Sequence, residues 1–266
     1  MNNSELNIFK SLVKIETERL FQPHRLGRPR TVSFDEAYNN ILKVVRTGMQ
    51  WRHLQPKSVS YITIFKTMHK WNNANVFRTA YERLLRLYSR KRRSRYYCID
   101  SSFVKNIYGR DCTGRNPTDR GRKATKVSVV VDDRGVLLSS LFTPGNWSDM
   151  GLLEPTLKEA FIRLEKGKEL YADKGYDSKR NRMVCNMQGL KDRIFKRKTT
   201  CGRRTHAKRG VVERFFSWID KFRRLIVRYE QSIVVYESMT FLACGVILSK
   251  FFSESDCIDL LVDSNI

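Results

Sequence analysis

The sequence predicts an α/β protein in which helices flank a mixed sheet, preceded by a small all-α region. Two observations lead to this fold class. Apolar residues recur at steps of three and four up to about residue 90, as in amphipathic helices. From Tyr96 onward, short β-rich runs alternate with helical segments, which is typical of a sheet covered by helices.

The composition indicates a polyanionic partner. The 266 residues include 51 Lys and Arg against 27 Asp and Glu, giving a net charge of +24. Nucleic acid is the commonest partner for so basic a chain. The length is sufficient for one large domain or two smaller ones, each with its own core.

Other features predict an intracellular protein located with DNA, in a bacterial cytoplasm or nucleoid or a eukaryotic nucleus. The six cysteines form no CxxC pair, so neither a disulfide framework nor a zinc site is expected. The first ten residues do not resemble a signal peptide. The longest apolar stretch, 239–248, is too short to span a bilayer, and we expect no membrane insertion.

Four helices are predicted in the first third of the chain. Ser33 and Glu36 match a capping box, and Gly48 is a plausible stop for the helix that they open. The third helix is predicted to bury Ile62, Phe65, Met68 and Trp71 and to expose Lys66 and Lys70. A helix-turn-helix and a generic helical bundle fit this pattern equally well. The predicted spans are 5–20, 34–47, 59–72 and 76–90.

The remaining elements follow the order of a ribonuclease H-like fold. A strand over 96–100 ends at Asp100, and a hairpin joins 126–133 to 135–143. Later elements are a helix over 150–164, a strand ending in Asp173, a helix over 179–187, a short strand at 193–198, one long helix over 208–228 and a last helix over 236–252. We predict a helical DNA-binding domain (1–93), a catalytic domain (94–252) and an acidic, disordered tail (253–266).

Three carboxylates are candidates for one metal site. Asp100 and Asp173 are predicted at the ends of strands, where sites collect in α/β sheets. Glu213 lies in the long basic helix. Three oxygen ligands suit Mg²⁺ or Mn²⁺, and two such ions support in-line phosphodiester chemistry. Taken singly, Asp173 could cap the turn after its strand, Asp100 could be a buried hydrogen-bonded acid, and Glu213 could be a surface acid paired with an arginine. Asp149 and Asp177 are interpreted as caps.

Short motifs surround the three acids, at 97–102 (YCIDSS), 172–177 (ADKGYD) and 212–216 (VERFF). Two further motifs lie at 47–54 (TGMQWRHL) and 143–149 (TPGNWSD). These motifs resemble those of transposases of the insertion sequence five family, within the DDE transposases that have a ribonuclease H-like core, and the two later acid motifs are very close to the family's signatures. The resemblance extends over about residues 33–250.

The resemblance implies a DDE transposase that cuts the terminal inverted repeats of a mobile element and joins them to a target. Asp100, Asp173 and Glu213 would be both catalytic and metal-binding, with Mg²⁺ or Mn²⁺ as cofactor, in two copies. Double-stranded DNA would be the partner, and pairing of two ends implies a dimer in function. We expect DNA contacts from Arg209, Arg214, Lys221, Arg223, Arg224, Lys174, Arg120, Lys66 and Lys70.

Two positions depart from the family pattern. His206 stands where the family has Tyr, and Asp220 stands where it has Lys, seven residues after Glu213. An alternative is therefore a transposase-derived DNA-binding protein with impaired or lost catalysis. A basic RNA-binding protein is a third interpretation, but the sequence lacks an aromatic platform for stacking bases.

Overall fold

A computed structural model describes residues 7–21, 32–196 and 203–253, with the backbone alone for Asn7 and 203–207. Its contacts divide the chain into two compact units. The first contains the described residues up to Tyr88, the segment Phe222–Leu225 and the described residues from Val234 onward. The second contains Ser89–Lys221, as far as it is described, and Ile226–Ile233.

Helices build the first unit. They are α1 (Asn7–Leu20), α2 (Phe34–Thr47), α3 (Tyr61–Asn73), α4 (Val76–Lys91, which runs past the unit's limit at Tyr88), the short α8 (Arg223–Ile226) and α9 (Ile233–Ser249). The backbone of Gly245 lies so close to Phe9 that a Cβ would stand 2.3 Å from its ring. Helix α9, which the sequence analysis assigned to the catalytic domain, therefore packs with the N-terminal helices. The predicted tail lies outside the described residues beyond Ser253.

The capping of α2 confirms part of the prediction. The Glu36 N–H donates to Ser33 Oγ over 3.2 Å, and Gly48 ends the helix with φ of 72°. The Glu36 carboxylate does not close the box, because it accepts the N–H groups of Lys57 and Ser58 instead. Glu36 thus ties the start of α2 to the segment that leads into α3.

The predicted buried face of α3 is wrong in part. Met68 and Trp71 are buried, together with Ile64, but Ile62 and Phe65 are exposed. The helix packs on α2 through the 64–68–71 side, which turns Phe65 outward, where its ring lies 5.4 Å from that of Trp51.

The second unit contains the mixed sheet predicted from the sequence. The strands are β1 (Tyr96–Asn106), β2 (Gly114–Arg115), β3 (Lys123–Asp132), β4 (Leu137–Pro144), β5 (Glu169–Ala172), β6 (Lys191–Ile194) and β7 (Val227–Arg228). The main strands run in the order β4-β3-β1-β5-β6, with β2 paired to β3 and β7 to β1. Strands β3 and β4 pair antiparallel to their neighbours, whereas β5, β6 and β7 run parallel to theirs.

Three helices cover this sheet. Helix α7 (Arg203–Ile219) packs on β1, β3 and β5, and α5 (Asp149–Lys158) packs on β3 and β4. Helix α6 (Lys179–Met187), close to its predicted span, contacts α5 and β6. Successive side chains of β1 point to opposite faces of the sheet, and α7 and α5 cover different faces. Cys98 contacts α7 through the Lys208 carbonyl, whereas the Tyr97 hydroxyl reaches Glu165, just beyond α5.

Several predicted spans differ from the structure. The long helix predicted over 208–228 is interrupted, since α7 ends at Ile219 and a turn precedes α8. The predicted helix over 150–164 ends at Lys158. The strand predicted at 193–198 spans Lys191–Ile194, and residues 197–198 lie outside the described residues. In the described part of the chain, no helix combines the length and apolar character needed to cross a membrane.

Candidate active site

Asp100 and Asp173 lie side by side at an open edge of β1. Strand β1 does not end at Asp100 as predicted, because its pairing with β3 continues to Lys105. On its other side, β5 pairs with β1 only up to Cys98, and β7 begins only at Lys105. The β1–β5 register pairs Cys98 with Tyr171, so its continuation by two residues sets Asp100 beside Asp173. Among the described residues, no strand fills this gap.

The guanidinium of Arg209 bridges the two carboxylates. Its Nη1 lies 3.2 Å from Asp173 Oδ1, and its Nη2 lies 3.2 Å from Asp100 Oδ2. The Arg209 side chain is 13% exposed, whereas those of Asp100 and Asp173 are 22% and 40% exposed. Its buried Nε has no hydrogen-bond partner among the described residues. Both acids thus bond to the Arg209 guanidinium, which keeps one N–H donor without an acceptor among the described residues.

Burial raises the pKa of Asp100 above its ordinary value. Hydrogen bonds from the Ser101 N–H and the Arg209 guanidinium lower it, and the charge of Asp173 raises it further, but desolvation is the largest effect. The folded protein therefore holds a carboxylate that is under-compensated when ionised, as is common at sites that bind a cation.

Glu213 lies on the same helix as Arg209, one turn further on. Residues four apart share a helix face, so Glu213 follows Arg209 along the side that faces this edge, and its side chain is exposed. No group of three His, Cys, Asp or Glu side chains is close enough to hold a metal within 7–21, 32–196 and 203–253. The structure therefore brings Asp100 and Asp173 together, while Glu213 stands apart from the pair.

Lys126 and Asp149 form a second charged pair, on the opposite face of β1. Lys126 Nζ lies 2.7 Å from Asp149 Oδ1, and the Ser101 hydroxyl donates to the same oxygen over 2.5 Å. The prediction that Asp149 is a cap is wrong, because its carboxylate bonds to Ser101 and Lys126 instead. A lysine at an otherwise buried strand position, where the alternation places it inward, was the signal that could have revealed the pair.

Two family models match the chain. The "Transposase DDE domain" model matches residues 91–248, which is more than half of the chain. The "Putative transposase of IS4/5 family" model matches residues 13–81. The chain belongs to the DDE transposase family. The family resemblance, the fold class and the enzyme class predicted from the sequence are thereby confirmed, and membership in this family implies dependence on a divalent metal.

A curated relative supports the assignment of this transposase. The chain is 36% identical over 169 residues to "Putative transposase for insertion sequence element IS402" from Burkholderia cepacia, covering 61% of this chain and 78% of the relative.

Two solved structures of transposases are similar to this chain. One is a piggyBac synaptic complex with hairpin DNA, at 11% identity and a TM-score of 0.49, covering 92% of this chain and 73% of that one. Another is a pre-cleavage Mos1 transpososome, at 10% identity and a TM-score of 0.29, covering 88% and 83%. The family assignment rests on the sequence matches.

The basic residues expected to contact DNA differ in exposure. Arg209 is engaged by the two acids, and Arg224 is buried at 8% exposure, with its Nη1 3.4 Å from the Met49 carbonyl. We therefore do not propose the buried Arg224 as a phosphate ligand. The other seven are exposed: Arg214, Lys221, Arg223, Lys174, Arg120, Lys66 and Lys70. Lys174 directly follows Asp173. The side chain of His206 lies outside the described residues.

Proposed function

We propose that this transposase is catalytically competent and that Asp100, Asp173 and Glu213 form its active site. It would cleave phosphodiester bonds at the terminal inverted repeats of a mobile element and transfer the strands to target DNA. The observation that supports this proposal most is the convergence of Asp100 and Asp173 on one guanidinium at the open edge of β1.

The residues at this edge fit a divalent cation. The Arg209 guanidinium occupies a position between two carboxylates where a positive charge is favoured, and carboxylate oxygens are the ligands that Mg²⁺ and Mn²⁺ prefer. Asp100 and Asp173, which lie together, would hold the metal, and we propose that Glu213, which stands apart from them here, joins them when two Mg²⁺ or Mn²⁺ ions are bound. Such ions would activate the attacking hydroxyl and stabilise the leaving oxygen.

The chain's own residues have separate tasks in this proposal. Asp100 and Asp173 hold negative charge at a fixed spacing, set by the β1–β5 register. Lys174, next to Asp173, is exposed and available to a DNA phosphate. The exposed lysines of α3, which belongs to the first unit, would contact duplex DNA. Two DNA ends must be brought together for transposition, so we also propose that the protein acts as a dimer.

Substitution of the acids tests this proposal. Purified protein with Mg²⁺ or Mn²⁺ is expected to nick DNA that carries the element's own ends. Asp100→Ala, Asp173→Ala and Glu213→Ala should each reduce cleavage by at least about a hundredfold, since the metal-assisted chemistry is lost. Binding to the same DNA, measured by gel shift, should remain within a few fold. The matched control is Glu159→Ala, an exposed acid at the end of α5, and it should cleave normally.

The alternative remains a DNA-binding protein without catalysis, and the position of Asp220 favours it. Asp220 follows the last residue of α7, is exposed, and carries negative charge where the family has a lysine. If the wild-type protein binds the ends but gives no cleavage with either metal, and Asp173→Ala is indistinguishable from it, this alternative replaces the proposal.

A further inference from the structure

Lys126 lies buried in the sheet, whereas the side chain of its partner Asp149 is 35% exposed. Lys126 is 3% exposed, and its Nζ donates to the Trp147 carbonyl over 3.0 Å as well as pairing with Asp149. The ammonium also lies 4.8 Å from the centre of the Phe103 ring. A buried ammonium of this kind requires a compensating charge, and the Asp149 carboxylate provides it.

Asp149 does not serve as a helix cap. Ser148 occupies the N-cap position of α5 without a side-chain capping bond. The Asp149 carboxylate instead turns toward the sheet, where Oδ1 accepts from both Ser101 and Lys126. The interaction is therefore tertiary, between α5, β1 and β3.

The same carboxylate touches both segments that carry the proposed catalytic aspartates. Ser101 directly follows Asp100, and Gly175 lies two residues after Asp173. A Cβ on Gly175 would stand 3.1 Å from Asp149 Oδ2, so glycine allows the Asp173 loop to approach this oxygen. Asp149 thus bridges the Asp173 loop and strand β1, on the face of β1 opposite to the one that Arg209 contacts.

The charge of the pair matters for a cation bound nearby. An uncompensated Asp149 would add a further negative charge close to Asp100 and Asp173, whereas an uncompensated Lys126 would add a positive one. With partial screening, either change would alter the affinity for a divalent cation several-fold.

We propose that Lys126 and Asp149 are positioning residues that fix the strand of Asp100 against the loop of Asp173 and set the cation affinity of this edge through their mutual neutralisation. This inference rests on the proposed function, because it presumes that Asp100 and Asp173 bind a divalent cation.

Single substitutions in the pair should shift metal affinity in opposite directions. Asp149→Asn keeps the shape and an acceptor for the Ser101 hydroxyl but leaves the Lys126 charge uncompensated, so Mn²⁺ binding should weaken about three- to tenfold. Lys126→Met keeps the volume and leaves the Asp149 charge free, so binding should tighten by a similar factor. The double variant should return close to the wild-type affinity.

The experiment is a Mn²⁺ titration of the full chain without DNA, in which electron paramagnetic resonance measures the concentration of free Mn²⁺. Lys123→Met, an exposed lysine at the start of the same strand, is the matched control and should leave the affinity unchanged. Thermal unfolding of each variant shows that it is folded. If Lys126→Met does not fold, comparison of Asp149→Asn with the double variant measures the same charge, and the double variant should bind more tightly.

The outcomes separate the two proposals. Weakening in Asp149→Asn and tightening on removal of the Lys126 charge support the inference. Shifts in the same direction, or none beyond the Lys123→Met control, overturn it while leaving the proposed metal site intact. A wild-type protein that binds no Mn²⁺, or binds it equally well after Asp100→Ala and Asp173→Ala, overturns the proposed metal site and this inference with it.

Discussion

Two arginines lie at the two ends of the open edge of β1, and they are held very differently. Arg228, on β7, is fully buried. It donates to the carbonyls of Glu230, Asp111 and Gln231 at 2.8–3.0 Å, to Thr125 Oγ1 at 3.0 Å, and to the Asp111 carboxylate. Arg209, next to β5, has two carboxylate bonds of 3.2 Å and an Nε without a partner among the described residues.

The carboxyl groups that bond to these arginines, Asp111 and Asp100, have pKa values shifted in opposite directions. Burial works against the ionisation of Asp111, but hydrogen bonds from the Ile233 N–H and the Arg228 guanidinium outweigh it and lower the pKa of that carboxyl. At Asp100 burial prevails, and the pKa is raised. The charges of Arg228 and Asp111 are thus compensated by their neighbours, whereas the charge of Asp100 beside Arg209 is not fully compensated.

This difference separates a structural ion pair from a candidate functional one. A guanidinium with every direction filled by protein acceptors fixes the fold, since none of its bonds is available to a ligand. A guanidinium with long bonds and an unfilled donor stands where another cation could be favoured. The comparison leads to three expectations for variants.

Replacement of Arg228 should have the largest effect. Arg228→Met leaves three carbonyls without the Arg228 donor and the Asp111 carboxylate without its charged partner, and we expect the free energy of unfolding to fall by about 3–5 kcal/mol. Urea denaturation monitored by circular dichroism measures this loss. Arg110→Met, an exposed arginine nearby, should change stability by less than about 0.5 kcal/mol. A loss below 1 kcal/mol in Arg228→Met would contradict the structural role.

Replacement of Arg209 should have a smaller effect that a metal can reverse. Without divalent ions, Arg209→Gln leaves Asp100 and Asp173 facing each other, which should cost about 1–2 kcal/mol. Millimolar Mg²⁺ or Ca²⁺ should restore most of this stability by binding the folded state. Arg228→Met should not recover in the same buffer. A loss in Arg209→Gln that divalent ions leave unchanged would mean that both arginines are structural.

The two acids should respond to amidation with opposite signs. A carboxyl whose pKa is raised on folding destabilises the protein when ionised, so Asp100→Asn should stabilise the metal-free protein at pH 7. This gain should vanish below about pH 4, where Asp100 is protonated in both states. Asp111→Asn should instead destabilise at pH 7, and its loss should fade as the pH falls through the lowered pKa of Asp111.

Unfolding measured between pH 7 and pH 3 distinguishes these cases. If both variants lose stability with the same pH dependence, the contrast between Asp100 and Asp111 is wrong.

The sequence predicted the sheet and its acids, but not how far each element extends. The motifs around Asp100, Asp173 and Glu213 lie in consecutive residues and could be found directly. The true end of β1 could not, since residues 101–106 are held by pairing with β3, a tertiary interaction that no local pattern encodes. The break in the predicted long helix was missed because Phe222 and Ile226 continue its apolar spacing past Ile219.

The charge partners were also beyond local patterns. Asp149 and Lys126 are 23 residues apart in the chain, and Arg228 lies 117 residues from Asp111. A capping position was a sufficient explanation for Asp149 in sequence terms, and only the fold shows that its carboxylate turns to the sheet.

The gap in pairing along β1 has a consequence for hydrogen exchange. Amides of residues 99–104 that point toward β3 lie in a continuous ladder, whereas those that point the other way have no strand opposite them among the described residues. The Ser101 N–H, for example, donates to the Asp100 side chain. Successive amides of one strand should therefore exchange at alternately slow and fast rates, and protection of the fast set on addition of DNA would map where the substrate lies.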